Sequence, residues 1–171
     1  MISASFGAYE NTSLDLTGAG QILTVRGMSV RRRSREMTLQ LLFQREFIAE
    51  SGPQGQGLAT RPVNLLNDFI HDFEMQADVA DYAGTLFRGV CENLTEIDRL
   101  IESNARHWKI SRMSLVDLSI LRVAAFEMVF AVPNMKPSIA IDEAVEIAKL
   151  YGSTDSASFV NGILDPIARQ L

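Results

Sequence analysis

The feature that most constrains the fold is the spacing of apolar residues, which follows a helical period almost throughout the chain after its first 27 residues. For example, Leu66, Phe69, Ile70 and Phe73 recur at i, i+3, i+4 and i+7, as on one face of an amphipathic helix. No segment combines sustained apolar and polar alternation with β-branched enrichment, the pattern of a strand. The sequence therefore predicts an all-α protein, a compact bundle of about seven helices.

Capping and turn residues predict where these helices begin and end. Ser51, followed by Gly52 and Pro53, is expected to stop the first helix, and Pro62 suits the first turn of the second. The other predicted boundaries are N-caps at Thr95, Ser114 and Ser138, a stop at Gly152, a last helix from about Ser156, and a kink or frayed end at Pro166.

The first 27 residues differ from the rest of the chain. They are rich in Ser, Thr and Gly and show neither a helical nor a strand period, so we expect a disordered tail over 1–27 before a helical domain over 28–171. A second methionine, Met28, follows the tail, which is therefore either genuine or a result of assigning the start codon upstream. The Gly- and Gln-rich stretch 51–61 is predicted to be a flexible loop.

The charge is unevenly distributed. The chain has a net charge of −5, yet residues 26–36 contain five arginines and one acid, whereas residues 68–102 contain nine acids and two basic residues. An acidic body with one arginine-rich end indicates an anionic partner at that end. The same distribution argues against a protein broadly coated in nucleic acid, which needs a wider basic face.

Several classes of protein are disfavoured by composition. One cysteine, Cys91, excludes an internal disulfide, and the two histidines, His71 and His107, are too far apart in sequence to form a local metal-ligand pair. The chain has no apolar run long enough to span a membrane and no secretory signal pattern. We therefore expect a cytoplasmic protein with no metal site.

Two stretches carry a family resemblance. They are RRRSREMTLQLLF at 31–43 and the later run that passes from VDLSILRVAAFEMVF through IAIDEAVEIAKLYG to SFVNGILD. In this order they resemble the NusB family of bacterial transcription antitermination proteins, over essentially Ser29 to Ala168. The chain departs from the family pattern in its tail, in its 51–61 loop, at Asp142, where Asn is frequent, and at Pro166.

The resemblance implies a function. NusB-like proteins pair with NusE, a small-subunit ribosomal protein, and the pair binds the boxA element of nascent RNA, mainly in ribosomal-RNA operons. The complex loads onto RNA polymerase and suppresses premature termination, with no catalysis and no cofactor. A related domain begins some ribosomal-RNA cytosine methyltransferases, but this chain ends soon after that domain, so the resemblance implies the stand-alone factor.

Four arginines are the predicted RNA contacts: Arg31, Arg32, Arg33 and Arg35. A guanidinium pairs with phosphate and stacks on bases, and a helix start favours anions. These arginines precede the first predicted core residues, so we expect them to lie outside the core. The alternative is a solubilising basic cap.

Five further residues match family RNA-contact regions or precede the last helix: Phe43, Phe159, Thr154, Asp155 and Ser156. The two phenylalanines are predicted to stack on bases, and the other three to present hydroxyls and backbone N–H groups to phosphate. Core packing is the alternative for the phenylalanines. Helix capping is the alternative, and the expected primary role, for the other three.

Asp117 is the predicted partner-binding residue, since the family contacts NusE around its position; the alternative is a capping acid and nothing more. Structural roles are predicted for four other residues. Arg122 and Glu143 are expected to form a buried ion pair, Gly162 to allow close helix packing, and Trp108 to pack between helices. Two rival functions remain: a helical protein-binding scaffold, and an enzyme, which is disfavoured because no phosphate-gripping loop, metal cluster or nucleophile–base pair occurs.

Overall fold

The computed structural model describes residues 29–51, 62–72, 76–105, 108–131 and 135–171. The α-helices in these ranges are α1 (Val30–Ser51), α2 (Pro62–Asp72), α3 (Ala77–Glu92), α4 (Leu94–Asn104), α5 (Leu115–Phe126), α6 (Pro137–Tyr151) and α7 (Ser156–Ala168). The described ranges contain no strand, so the prediction of an all-α bundle of about seven helices is confirmed. The predicted tail and most of the predicted 51–61 loop lie outside the described residues.

The bundle is organised around α5. Every residue of α5 from Asp117 to Phe126 is buried, as expected of a helix that is apolar nearly all round. It packs against α1, α3, α4, α6 and α7, and a π-helical turn, Glu127–Ala131, continues it. Residues on α5 can therefore link opposite sides of the molecule.

The core joins α5 to its neighbours through fully buried aliphatic and aromatic side chains. The largest of these are Leu41 and Leu42 of α1, Leu86 and Phe87 of α3, Ile97 and Ile101 of α4, Leu121 of α5, and Leu164 and Ile167 of α7. Burying a side chain of this size stabilises the fold by roughly 1.5–3 kcal/mol. The long α1, packed on both α3 and α5, is thereby fixed along the part that carries the arginines.

Most predicted helix boundaries agree with the structure. The Ser114 hydroxyl accepts a hydrogen bond from the Asp117 backbone N–H at 3.0 Å, so Ser114 caps α5 as predicted. The stops at Ser51 and Gly152 and the starts at Pro62 and Ser156 are also confirmed.

Two predicted caps are wrong, because α4 begins at Leu94 and α6 at Pro137. Asn93 alone separates α3 from α4, which leaves Thr95 already inside the helix, and Pro137 takes the first helical position ahead of Ser138. The proline in the last helix, Pro166, lies within the final turn of α7.

A close helix approach occurs at Gly89, and not at Gly162 as predicted. A Cβ atom at Gly89 would lie 1.9 Å from Cζ of Phe126, so the α3 glycine lets the α5 ring pack directly on the backbone. A Cβ at Gly162 would meet no atom within 4 Å. The prediction for Gly162 is wrong because this residue lies on the exposed face of α7.

We expect opposite effects from alanine at these two glycines. Gly89→Ala is expected to destabilise the fold by at least about 1–3 kcal/mol, because Phe126 must move out of a packed core. Gly162→Ala is expected to stabilise α7 by up to about 1 kcal/mol, since alanine has the higher helix propensity. Thermal unfolding followed by circular dichroism measures both. Equal and small effects would show that Phe126 does not depend on the glycine.

Candidate nucleic-acid interface

The first turn of α1 presents an arginine that has no carboxylate partner among the described residues. The Arg31 guanidinium carbon lies 4.8 Å from the centre of the Tyr82 ring, and its Nη1 donates to the Tyr82 hydroxyl at 3.4 Å. The Arg31 side chain is exposed. A cation held over an aromatic face keeps its full positive charge while its position is restricted.

Arg32, the next arginine, joins α1 to α6 through a two-pronged ion pair. Its Nε and Nη2 each donate to a carboxylate oxygen of Glu143 at 2.9 Å. The hydrogen bond from Arg32 is the main reason why the pKa of Glu143 is lowered, and the same bond raises the pKa of Arg32. The charge of Arg32 is therefore largely neutralised within the protein.

Arg35 is buried, and its partners lie on two other helical segments. Its Nε donates to Glu127 Oε2 at 2.7 Å, and its Nη1 donates to Glu143 at 3.3 Å. The Tyr82 hydroxyl donates to the other oxygen of Glu127 at 2.5 Å. The prediction that all four arginines lie outside the core is therefore wrong for Arg35, which is only 3% exposed.

These contacts form one connected group, which we call the arginine–glutamate cluster: Arg32, Arg35, Tyr82, Glu127 and Glu143. Because a buried charge is costly unless it is paired, each member depends on the others. The cluster ties the start of α1 to α3, to α6 and to the π-helical turn after α5. It therefore determines where the exposed Arg31 lies.

Tyr82 gives the cluster a pH dependence. Burial is the main reason why its pKa rises to about 12 from an ordinary 10.0, and the hydrogen bond to Glu127 adds to the effect. Because the folded state holds this proton more tightly than the unfolded state, the contribution to stability is complete below pH 10 and disappears as the pH rises through 12.

We therefore expect the Tyr82→Phe variant to lose less stability than the parent chain between those pH values. Urea unfolding across the range measures it, and equal losses in both proteins would contradict the assignment.

Arg33 lies beside a buried acid. Its Nη1 is 3.5 Å from Glu36 Oε2, and its side chain remains 44% exposed. Burial raises the pKa of Glu36, and the Arg33 charge and a hydrogen bond with Tyr151 oppose that rise. Glu36, in the second turn of α1, therefore links this helix to Tyr151 at the end of α6.

The turn between α6 and α7 contains three of the predicted RNA contacts. Thr154 and Asp155 are exposed, and neither side chain caps α7. Ser156, in contrast, is 1% exposed, and its hydroxyl accepts the Ser153 backbone N–H at 2.8 Å. The side chains of Thr154 and Asp155 are therefore accessible to a ligand, whereas the Ser156 hydroxyl is used within the turn.

The two predicted stacking residues occupy different surroundings. Phe43 is 40% exposed and lies on the same face of α1 as Glu36, two turns further along. Phe159 is half-buried, and its ring meets Trp108 edge to face at 5.5 Å between centroids. Phe43 thus lies at the surface, free of another described ring, whereas Phe159 packs partly against the core and against Trp108.

Asp117, the predicted partner-binding residue, is 9% exposed in the first turn of α5. Its backbone N–H serves the Ser114 cap, but its side-chain Oδ1 is buried and has no hydrogen-bond partner among the described residues. A capping role therefore does not account for the Asp117 carboxylate.

The predicted ion pair between Arg122 and Glu143 is wrong. Arg122 donates to both oxygens of Asp98 at 2.8 Å and to Glu46 at 3.2 Å, whereas Glu143 pairs with the arginines of α1. Helix α5 contacts both α4 and α6, and sequence alone does not show which of them Arg122 faces. Sequence reasoning also missed Glu127; its one signal was a charged residue directly after the apolar run of α5.

The described ranges contain neither a candidate metal site nor a candidate membrane-spanning helix. No three His, Cys, Asp or Glu side chains there are grouped so that they could hold a metal ion. No helix in the same ranges is both long and apolar enough to cross a membrane.

Comparison with known proteins identifies the family. The NusB family model matches residues 32–169. The transcription antitermination protein NusB of Bdellovibrio bacteriovorus is 42% identical over 144 residues, which cover 83% of this chain and 97% of the relative. The corresponding protein of Desulfatibacillum aliphaticivorans is 41% identical over 140 residues, covering 82% of this chain and 90% of the relative.

Solved structures agree. NusB of T. maritima superposes with a TM-score of 0.69 at 36% identity, covering 82% of this chain and 91% of that one. A crystal structure of the antitermination factors NusB and NusE in complex with double-stranded RNA gives a TM-score of 0.68 at 23% identity, covering 85% and 100%. At 23% identity, this second match shows a shared fold and nothing more. The family resemblance expected from the arginine stretch and the C-terminal run is confirmed, and the chain belongs to the NusB family.

Proposed function

We propose that the chain is a transcription antitermination factor that binds the boxA element of nascent RNA, mainly ribosomal RNA, together with NusE. In this proposal the complex joins RNA polymerase in the cytoplasm and suppresses premature termination, and the chain itself performs no catalysis and uses no cofactor. The relatives named above are antitermination proteins, and one structure of the same fold holds NusE and RNA.

The observation that carries the proposal is the contrast among the four arginines of α1. Arg32 and Arg35 are neutralised by carboxylates at short distances, whereas Arg31 has no described carboxylate partner and Arg33 only a distant one. Two exposed cations on a helix start that is fixed by buried ion pairs suit a polyanion. We assign Arg31 and Arg33 to contact with phosphate, and Arg35 to holding the start of α1 in place. Arg32 contacts RNA through the part of its side chain that stays exposed.

The neighbouring surface suits single-stranded RNA. Phe43 offers an exposed ring for one base, and Phe159 offers a partly exposed one. The Thr154 hydroxyl is free to donate to phosphate, whereas the Asp155 carboxylate repels phosphate and suits the amino group of a base. Ser156 supports this surface by holding the turn.

The start of α5 is the proposed NusE-binding face. Asp117 keeps a 9% exposed edge in the first turn of α5, and its carboxylate pairs there with a donor of the partner protein in this proposal. Removing the charge by Asp117→Asn preserves the shape of the side chain. In this proposal that substitution weakens NusE binding and leaves RNA binding by the chain alone unchanged.

The direct test is a gel shift with a boxA-containing RNA and a scrambled RNA of equal length, with and without NusE. The proposal expects boxA to be shifted at the lowest protein concentration when both proteins are present. Equal shifts of the two RNAs, or no effect of NusE, would contradict it. Binding of NusE without any RNA shift would favour the protein-binding scaffold instead.

A further inference from the structure

Trp108 is far more exposed than its sequence context predicts. It was expected to pack between helices, yet it is 51% exposed, more than Phe43 or Phe130. Its backbone N–H donates to the carbonyl of Ala105 at 2.9 Å, and its ring meets Phe159, so its position is fixed. Tryptophan is enriched at binding interfaces, and this indole is accessible on its described side.

Two of the four residues that follow Trp108 are positively charged and are not neutralised. Lys109 and Arg112 are both exposed, and neither has a carboxylate partner among the described residues. The Arg112 backbone N–H donates to the carbonyl of Lys109 at 2.9 Å, and in such a 3-10 turn side chains three residues apart lie on the same side. Two cations therefore accompany the indole on one short turn.

Three other exposed cations are neutralised within the protein. Arg99, Lys149 and Arg169 each pair with a carboxylate one helical turn away. Lys109 and Arg112, like the exposed Arg88 and Lys136, have no carboxylate partner among the described residues, so their charge is available for an anionic ligand. An exposed aromatic face beside two free cations matches the chemistry of a nucleotide, which offers a base and a phosphate.

This turn is continuous with the surface described above. The Phe159 backbone N–H donates to the carbonyl of Asp155 at 3.0 Å, so Phe159 lies one helical turn beyond the exposed Thr154 and Asp155. Trp108 packs on Phe159 at the far end of that path. The exposed turn between α6 and α7 is therefore connected to the indole through Phe159.

We propose that Trp108, Lys109 and Arg112, with Phe159, form a second RNA subsite that stacks one unpaired base on the indole and holds the adjacent phosphate. The subsite rests on the proposed function, and it extends the RNA path away from the arginines of α1. The free cations favour RNA over a protein partner for this surface. A protein partner is the competing outcome of the tests.

Trp108 is the single tryptophan of the chain, so intrinsic fluorescence reports on this subsite alone. The full chain is titrated with single-stranded boxA RNA while tryptophan emission and the anisotropy of end-labelled RNA are followed together. We expect saturable quenching with the same midpoint as the anisotropy change. RNA binding without any change in emission would overturn the subsite and leave the proposed function intact. No anisotropy change, with or without NusE, would contradict the proposed function itself.

Variants separate stacking from charge. Trp108→Ala is expected to weaken RNA binding about tenfold with the salt dependence unchanged, because only a stacked base is lost. The double variant Lys109→Ala and Arg112→Ala is expected to reduce the slope of log K against log salt by about 0.7, because the two cations together hold one phosphate. Phe130→Ala is the matched control, since Phe130 is an aromatic residue of similar exposure on the π-helical turn.

The competing outcome is equally measurable. If Trp108→Ala keeps the parent RNA affinity but loses NusE binding, the surface binds protein and the subsite is refuted. Circular dichroism of each variant confirms that the fold is retained. If Phe130→Ala weakens RNA binding as much as Trp108→Ala does, the effect is not specific to the indole, and the proposal fails.

Discussion

Replacing Arg35 with alanine is expected to lower the free energy of unfolding by about 3–5 kcal/mol, because it leaves Glu127 buried without its arginine. Glu127 is 1% exposed, so water cannot replace the lost guanidinium. Arg33→Ala is the matched control on the same helix. Its side chain is 44% exposed and its partner lies 3.5 Å away, so we expect a loss below about 1 kcal/mol.

Chemical denaturation of the two variants at neutral pH measures this difference. A loss below about 1 kcal/mol for Arg35→Ala would mean that Glu127 relaxes to solvent or to another donor. The arginine–glutamate cluster would then not fix the start of α1. The double variant Arg35→Met and Glu127→Leu replaces the buried ion pair with apolar residues. Such a replacement often leaves the free energy of unfolding unchanged, so this variant is expected to lose less stability than Arg35→Ala.

Arg122→Ala is expected to have a smaller effect, because its partners Asp98 and Glu46 are both 24% exposed and water partly replaces the guanidinium. Arg122 is 5% exposed and holds Asp98 through two hydrogen bonds and Glu46 through a third. Removing it leaves two carboxylates close together without a cation between them. We expect a loss of about 1.5–3 kcal/mol in the free energy of unfolding, the range for hydrogen bonds to charged groups.

Double-mutant cycles identify the true partner of Arg122. Arg122→Ala combined with Asp98→Ala is expected to show a coupling energy of about 1–3 kcal/mol, since the two side chains are in direct contact. The combination with Glu143→Ala is expected to be additive, because Glu143 pairs with Arg32 and Arg35 instead. Coupling with Glu143 and additivity with Asp98 would reverse the structural assignment.

The helices could be predicted from the sequence because their signals are local. Apolar spacing within one helix, the Ser114 cap and Pro62 at a first turn all act over a few residues. The failures at Thr95 and Ser138 are shifts of one or two residues at a helix start. Such shifts depend on the neighbouring turn, and local propensity does not determine them.

The organisation of the candidate site could not be predicted, because it depends on pairing between distant segments. Glu127 is 92 residues from Arg35 in sequence, and Glu143 is 111 residues from Arg32. No local pattern shows that one arginine of a run of four is buried while another is exposed. Trp108 was also misplaced, because it lies in the connection after α4 and not on a helix face.

The central claim is that Arg31 and Arg33, positioned by the arginine–glutamate cluster, bind the RNA backbone. The salt dependence of boxA RNA affinity tests it most directly, for the parent chain with NusE and for the double variant Arg31→Ala and Arg33→Ala. The control is the double variant Arg99→Ala and Arg169→Ala, whose exposed arginines pair with acids of their own helices. We expect the slope of log K against log salt to fall by about 1.4 in the first variant and to stay at the parent value in the control. An unchanged slope and affinity in the first variant, with circular dichroism intact, would contradict the account.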